Sequence, residues 1–226
     1  MAFVVGVRPE PTSETIGAVE AFGSLSTGSL GHLTDFGFAQ GLQPLMRPAK
    51  AVGLAYTVRI PHLDGVAVHY ALSHIERGEV LVIDTTGQRN RASWGGVTAY
   101  AASVAGVVAV IVDGPVTDWE EITESGPPVW CHAGTCSITG RKMGLEGAVE
   151  IPIQVGGAVV HPGDIVFADS DGVFFIRPDG AADLARTVAA REAREPGLKR
   201  RLDGGERMAE ISGAAELAER LIGNGS

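Results

Sequence analysis

The chain of 226 residues contains 18 basic and 27 acidic side chains, which give a net charge of -9 and a pI near 5.1. This acidic balance argues against nucleic acid as a partner, because a polyanion would be repelled. Hydrophobic residues make up 45% of the chain and charged residues 20%, and no run approaches the ~18 apolar residues of a membrane span, which predicts a soluble protein without membrane contact.

The N-terminus and the cysteine usage predict a cytoplasmic protein. The first fifteen residues have no basic flank, no long hydrophobic region and no small-residue cleavage site. Cys131 and Cys136 are the two cysteines of the chain, which argues against a disulfide framework. We expect one domain over residues 1–226, with a helical C-terminal segment from about residue 180.

The N-terminal third predicts alternating elements. A helix is expected around Glu14 to Phe22, followed by a Gly/Ser-rich turn over 23–32. The segment 51–60 is rich in small and β-branched residues and ends before Pro61, which predicts a strand. Apolar residues at helical spacing predict a helix over 66–75.

The central region predicts one βαβ unit. VLVID at 80–84 and VVAVIVD at 107–113 are short apolar runs typical of buried parallel strands, and a helix is expected from about Gly96 to Ala105. A right-handed crossover makes the two strands parallel, so their carboxyl ends open on the same edge of the sheet. Ligands bind at this edge in open α/β sheets.

The predicted helix begins at Trp94-Gly95-Gly96, on that same edge. Its unpaired N–H groups and the positive end of its dipole would favour a carboxylate or phosphate. Glycine lets a backbone approach a ligand closely, although the glycine pair is explained equally well by a tight turn.

A cluster of acids follows the second strand. Hard oxygen ligands of this kind suit Mg²⁺ or Mn²⁺, and Mg²⁺ typically takes one or two protein carboxylates. Helix capping is the simpler interpretation from the residues alone, with Thr117 or Asp118 as the cap of a helix that begins at Trp119. The cluster consists of Asp113, Asp118, Glu120 and Glu121.

Two further groups of potential ligands have simpler interpretations. The segment 165–176 predicts a β-hairpin around DSDG, so Asp169 and Asp171 are explained by turn chemistry. The other group, two cysteines and one histidine, offers fewer than the four ligands of a structural zinc site. We interpret these residues as loop or buried residues, and the histidine as a weak acid–base candidate. The members of this group are Cys131, His132 and Cys136.

Three segments carry a resemblance to a known family: VLVIDTTG (80–87), WGGVTAYAASVAGVVAVIVDGPVTD (94–118) and GDIVFADSDGVFFIRP (163–178). They resemble the RraA-type proteins and the 4-hydroxy-4-methyl-2-oxoglutarate/4-carboxy-4-hydroxy-2-oxoadipate aldolases. The likeness runs from about the first helix to the region around Ile211. It implies an α/β, three-layer β/β/α domain of the swivelling type with a βαβ core. It also implies a homotrimer or homohexamer with active sites between subunits.

For the site, the resemblance implies a divalent metal, Mg²⁺ or Mn²⁺, and a small carboxylate substrate. Asp118 matches the metal-binding Asp of the aldolases, and Glu121 matches the acid that follows it. The substrate carboxylate would be received by a turn made of Gly95, Gly96, Val97 and Thr98. In the aldolases the metal polarises a keto group, and an Arg beside the metal-binding Asp stabilises the enolate that cleavage produces.

Thr117 departs from the family pattern, because it stands where the aldolases carry that Arg. Losing a charge-assisted donor to an oxyanion typically costs ~10²–10³ in rate. Arg89 and Arg91, on the loop after the first strand of the βαβ unit, are candidates to replace the charge, with exposed loop positions as the alternative.

We therefore expect a metal-dependent lyase, of aldolase or decarboxylase type, on a small 2-oxo or hydroxy acid, with altered specificity. One alternative is a metal-assisted hydratase, dehydratase or hydrolase on the same scaffold. Another is a non-catalytic regulator that binds a protein partner. The resemblance implies that such regulators lack the full acid set, so the presence of Asp118 and Glu121 favours an enzyme.

Overall fold

The computed structural model describes residues 3–61, 64–139, 144 and 146–223. Its helices are α1 (Ser13–Phe22), α2 (Thr27–Gly31), α3 (Val66–Leu72), α4 (Gly96–Ala105), α5 (Trp119–Ser125), α6 (Ala181–Glu192), α7 (Glu195–Asp203), α8 (Met208–Ser212) and α9 (Ala214–Gly223). Its strands are β1 (Phe3–Val5), β2 (Phe38–Ala39), β3 (Gln43–Pro44), β4 (Lys50–Arg59), β5 (Val80–Asp84), β6 (Ala109–Val112), β7 (Pro115–Val116), β8 (Val129–Cys131), β9 (Ala133–Gly134), β10 (Gly147–Val149), β11 (Ile153–Val155), β12 (Ala158–Val160), β13 (Ile165–Asp169) and β14 (Val173–Ile176).

A mixed sheet forms the centre of the fold. Its main path runs β2-β14-β13-β4-β5-β6-β8-β3, and β10 branches from β4 to pair with β1. The pairs β4–β5, β5–β6 and β6–β8 are parallel, whereas β13 pairs antiparallel with both β4 and β14. The predicted βαβ unit is confirmed as β5-α4-β6, so the carboxyl ends of both strands open on one edge of the sheet.

Alternating residues of the parallel strands face two different layers. Leu81 and Ile83 of β5 pack with the buried faces of α3, α4 and α5. Val80 and Val82 pack on the opposite side with β11, β12 and β13. Because β5 is covered on both sides, every one of its residues is buried, which explains its uninterrupted apolar run. The strand, strand and helix layers correspond to the expected α/β three-layer architecture.

Two short elements lie where the sequence predicts a turn and a loop. Helix α2 lies within the Gly/Ser-rich segment, because the Ser26 hydroxyl accepts from Ser29 N and Asp169 accepts from Thr27 N at 2.7 Å. Strand β8 joins the parallel part of the sheet beside β6. Both elements are too short for a local pattern to reveal them, and they depend on long-range partners. The predicted hairpin is confirmed as β13–β14, and Asp169 serves there to cap α2.

The predicted helical C-terminal segment contains α6 to α9. Helix α6 packs through Ala181, Ala185 and Val188 into a third apolar cluster with α1 and β13. In contrast, α7, α8 and α9 bury none of their residues. Among the described residues, no helix is both long and apolar enough to cross a membrane.

The segment after β1 is held by a buried cluster of charges. Arg8 forms an ion pair with Glu79 and lies 3.7 Å, Nε to Oε1, from Glu150. Glu150 is buried in a left-handed backbone conformation with φ of 54°. Burial raises the pKa of Glu150 to about 7, against a lowering effect of the Arg8 charge.

This pKa predicts that the protein loses stability as the pH rises. The unfolded-state pKa of the Glu150 carboxyl is about 4.5, so between pH 4.5 and 7 the folded state binds more protons than the unfolded state. We expect Glu150 to lower the free energy of unfolding by about 1–3 kcal/mol between pH 5 and pH 8. Urea unfolding at both pH values should show this loss, and Glu150→Gln should remove it. An equal pH dependence in the Gln variant would contradict the assignment.

Candidate functional site

The loops that follow β5 and β6 meet at the beginning of α4. The Thr117 amide donates to the Trp94 carbonyl oxygen at 3.0 Å. The Gly96 amide donates to Asp118 Oδ2, also at 3.0 Å. These two hydrogen bonds fix the Asp118 carboxylate against the helix start that the sequence predicts as an anion site.

Both glycines at this helix start are required by the packing. A Cβ atom on Gly95 would lie 2.6 Å from Asp118 Oδ2 and 2.8 Å from Thr117 Cγ2. A Cβ atom on Gly96 would collide with the carboxylate of Glu121. The missing side chains therefore allow Asp118 and Glu121 to lie directly on the backbone of the glycine pair.

Asp118 occupies the N-cap position of α5 without capping it through its side chain. Its backbone is left-handed, with φ of 58° and ψ of 48°, and its carboxylate accepts no hydrogen bond from the amides of α5. Asp tolerates this conformation better than most residues, but it remains a strained one. The strained backbone turns the carboxylate away from α5 and toward α4, so capping does not account for the side chain.

The first turn of α4 retains amides that can bind an anion. The Gly96 amide is taken by Asp118, and the Thr98 hydroxyl accepts from Gly95 N at 3.0 Å and donates to Gly95 O at 2.8 Å. Among the described residues, the Val97 and Thr98 amides have no acceptor. They point outward at the positive end of the helix dipole, which favours a carboxylate or phosphate.

Two other acids on this sheet edge are neutralised by arginines. Asp84 accepts from Arg59 Nε at 2.8 Å. Asp113 accepts from Arg89 Nη1 at 2.8 Å and lies 2.6 Å from His132 Nε2. Within the described part of the chain, Asp118 and Glu121 have no ion-pair partner. Negative charge on the edge is therefore concentrated beside α4.

The cluster around Asp113 is structural in character. Burial opposes ionisation of Asp113, but hydrogen bonds from Arg89, His132 and the Gly156 amide outweigh burial and hold its pKa below the usual value. Asp113 is thus an anion with its acceptor sites occupied. His132 is held in this cluster by its contact with Asp113.

The two arginines proposed to replace the missing charge contact other groups. Arg89 is bound to Asp113, and Arg91 donates to the Ile138 carbonyl oxygen at 3.1 Å. Neither is in hydrogen-bond contact with Thr117 or Asp118. The Thr117 hydroxyl donates to Asp118 Oδ1 at 3.1 Å, so it is engaged in orienting the carboxylate.

A cleft of about 200 Å³ adjoins the glycine pair and Asp118. Among its described lining residues, His69 is the one basic side chain, and sequence reasoning missed it because no motif marks a histidine on α3. The Ser93 hydroxyl and the Trp94 indole N–H also belong to lining residues, and both atoms are buried without a hydrogen-bond partner in the described chain. The cleft thus combines an anion and open amides.

The side chains present fit a cation that takes few protein ligands. No group of three or more His, Cys, Asp or Glu side chains that could hold a metal occurs among the described residues. Asp118 and Glu121 offer exposed carboxylates beside the cleft, and Mg²⁺ characteristically binds one or two carboxylates plus water and substrate oxygens. Cys131 is buried, with its pKa raised by burial to about 11, and Cys136 is exposed, so this pair is unsuited to zinc.

Comparison with known proteins defines the class to which this fold and site belong. The chain matches the model of the RraA-like family, described as Aldolase/RraA, over residues 24–175. A relative from Halalkalibacterium halodurans, provisionally named a 4-hydroxy-4-methyl-2-oxoglutarate aldolase, is 30% identical over 159 residues, which are 70% of this chain and 75% of that protein. The chain therefore belongs to the RraA-like family.

Two further comparisons show how widely the fold is used. Protein DlpA of Legionella pneumophila is 31% identical over 160 residues, which are 68% of this chain and 26% of DlpA, so the chain spans about a quarter of that relative. The crystal structure of Streptomyces coelicolor RraAS2, described as an unusual member of the RNase ES inhibitor RraA family, has a TM-score of 0.73 at 23% identity. It covers 86% of this chain and 98% of its own, and at this identity it shows the shared fold alone.

We expect Asp113→Asn to destabilise the protein by about 1–3 kcal/mol at pH 7, because Arg89 and His132 would lose a buried anionic acceptor. The pKa of Asp113 is lowered on folding, so its contribution is present above the unfolded-state value of 3.8 and is lost as the pH falls through the lower folded-state value. Urea unfolding at pH 7 and pH 3 should show the difference between wild type and variant shrinking. The exposed Asp203→Asn is the control, and a similar loss there would contradict a specific role for the cluster.

Proposed function

We propose that this chain is a divalent-metal-dependent lyase, of aldolase or decarboxylase type, that acts on a small 2-oxo or hydroxy acid. The observation that carries the proposal is the Asp118 carboxylate, held by the Gly96 amide at the mouth of a cleft that also contains open helix amides. Membership of a family with aldolase-named relatives supports the reaction class.

In this proposal each part of the site has one task. Asp118 and Glu121 would be the residues that hold Mg²⁺ or Mn²⁺. When bound, the cation acts as a Lewis acid on the substrate keto group. The Val97 and Thr98 amides receive the substrate carboxylate. Cleavage of the carbon–carbon bond would pass its electron pair toward the keto oxygen, while the other fragment leaves as CO₂ from a carboxylate or as a carbonyl compound whose hydroxyl proton passes to solvent, and the site must stabilise the charge that develops on the keto oxygen.

Thr117 leaves that developing charge without the expected cation. We assign His69 as the donor within the same chain, because it is the basic side chain among the described residues that line the cleft. An imidazole N–H is a weaker donor to an oxyanion than a bidentate guanidinium. The proposed enzyme would therefore differ from the aldolases of its family in rate or in substrate preference.

Asp118→Asn tests the metal-dependent reaction. Pyruvate release from 4-hydroxy-4-methyl-2-oxoglutarate and decarboxylation of oxaloacetate are measured with and without Mg²⁺ by coupling to lactate dehydrogenase. The wild type should show Mg²⁺-dependent turnover, and the variant should lose about 100-fold or more, because its neutral amide is a poor ligand for a hard cation. Glu120→Gln, a neighbouring exposed acid outside the proposed site, should keep wild-type activity.

The same assay separates the alternatives. Metal-dependent turnover without carbon–carbon cleavage would select a hydratase, dehydratase or hydrolase. Absence of Mg²⁺ binding by calorimetry, together with absence of turnover, would select a non-catalytic regulator that binds a protein partner. Full activity of Asp118→Asn would remove Asp118 from the mechanism.

Thr117→Arg tests whether the missing charge limits the reaction. A guanidinium beside Asp118 would supply a charge-assisted donor to the developing oxyanion, and we expect kcat/KM for pyruvate release to rise by about 10–100-fold. Thr117→Gln introduces a side chain of intermediate length without charge and is the matched control. If Arg and Gln change kcat/KM equally, charge at this position is not what the site lacks.

A further inference from the structure

A second cavity, of about 730 Å³, lies between segment 34–40, the turn that joins β11 to β12, and strand β14. Among the described residues, it shares no lining residue with the cleft beside Asp118. Its volume is within the range of about 300–1,000 Å³ that is typical of pockets for small molecules. The cavity is therefore separate from the proposed catalytic site and large enough for a ligand of its own.

Backbone contacts at two glycines fix the walls of this cavity. The Gly37 carbonyl oxygen accepts from the Phe175 amide, and the Gly156 carbonyl oxygen accepts from the Gln40 amide, both at 2.8 Å. Both glycines have a left-handed backbone, with φ of 80° and 55°, which residues with a side chain adopt only at a cost. The walls are thus held by the chain's own backbone.

The body of the cavity is apolar and partly open to solvent. Phe36 is 88% exposed, and Val159 on β12 is 60% exposed. The ring of half-exposed Phe38 lies 5.5 Å, centroid to centroid, from that of buried Phe174. All four side chains line the cavity. Because exposed apolar side chains grouped in this way mark a binding surface, and aromatic rings pack well against planar groups, the body suits an aromatic ligand.

The polar end of the cavity is an arginine that a buried acid holds in place. Arg177 Nη1 donates to Asp164 Oδ1 at 2.7 Å, and the Asp164 side chain is 1% exposed. Asp164 also accepts from the His161 amide at 2.8 Å, and His161 Nδ1 lies 3.5 Å from Asp164 Oδ2. Among the described residues, Arg177 Nε and Nη2 have no acceptor. The buried anion therefore orients a guanidinium whose remaining N–H groups are available to a ligand.

The charges around the cavity favour a ligand with a single negative charge. A carboxylate matches the fork of N–H groups on Arg177. A phosphate dianion would be repelled by Asp164 and by Asp35, an exposed acid that also lines the cavity. Water screens Asp35 more strongly than it screens the buried pair, so one carboxylate is tolerated where two negative charges are not.

We propose that this cavity binds a small monocarboxylate with an aromatic body, at a site separate from the cleft beside Asp118. The carboxylate pairs with Arg177, and the aromatic body lies against Phe36, Phe38 and Val159. The oriented guanidinium with open donors favours this small anion over an apolar contact with a second copy of the chain. The proposal does not rest on the proposed lyase function.

Calorimetric titration of the full-length protein with 3-phenylpropionate, without divalent metal ions, tests the site. We expect binding with a dissociation constant in the millimolar range or below. The uncharged 3-phenylpropionamide has the same ring and should bind about tenfold more weakly, because it cannot form a charge-assisted pair with the guanidinium. Arg177→Gln should weaken binding of the carboxylate by a similar factor.

Variants at two exposed valines keep the test decisive if Arg177→Gln destabilises the fold. Val159→Glu adds a negative charge to the cavity wall and should weaken binding about tenfold, whereas Val159→Lys should not weaken it. The matched control is Val97→Glu, because Val97 is also exposed, at 80%, but lines the cleft beside Asp118. This control should leave binding of 3-phenylpropionate unchanged.

Several results would overturn the proposal. These are no binding by the wild type, equal affinity for the carboxylate and its amide, equal effects of Val159→Glu and Val159→Lys, or loss of binding in Val97→Glu, which would place the probe beside Asp118. An absence of binding together with a smaller oligomer of Val159→Glu in sedimentation would assign the cavity to a contact between copies. Because no turnover is measured, failure here is distinguishable from failure of the proposed function.

Discussion

The hydrogen bond from the Gly96 amide to the Asp118 carboxylate joins the loops that leave two neighbouring parallel strands. It is possible because β5 and β6 are parallel neighbours joined through α4, which brings both loops to the same edge of the sheet, and because Gly95 and Gly96 have no side chains to hold the second loop away. The left-handed backbone of Asp118 is the strain that accompanies this arrangement. An anion and a helix start with open amides therefore lie side by side, which is the arrangement that a cation and a carboxylate substrate together would satisfy.

The acids on this sheet edge differ in whether an arginine neutralises them. Asp84 and Asp113 also stand at the carboxyl ends of strands, yet arginines neutralise both, and Asp113 has a lowered pKa as part of a saturated hydrogen-bond cluster. Those two acids stabilise the loops. Asp118 and Glu121 keep exposed carboxylates without an arginine among the described residues. The presence or absence of an arginine partner thus distinguishes the stabilising acids from the acids of the proposed site, although they lie close together in the sequence.

The RraA-like family contains proteins named for aldolase activity and proteins described as RNase inhibitors. The site described above offers oxygen donors and open amides, and among the described residues no arginine contacts Asp118.

Local patterns in the sequence determined the βαβ core, the start of α4 at Gly96, the β13–β14 hairpin and the placing of Asp118 at the carboxyl-end edge of the parallel strands. They did so because strand and helix periodicity and turn chemistry act over a few residues. The tertiary structure decided which acids are neutralised, that Arg89 serves Asp113, and that His69 lines the cleft. It also formed α2 and β8, whose partners lie far along the chain. These outcomes depend on contacts between distant segments, and no local spacing encodes which distant side chain will satisfy a given charge.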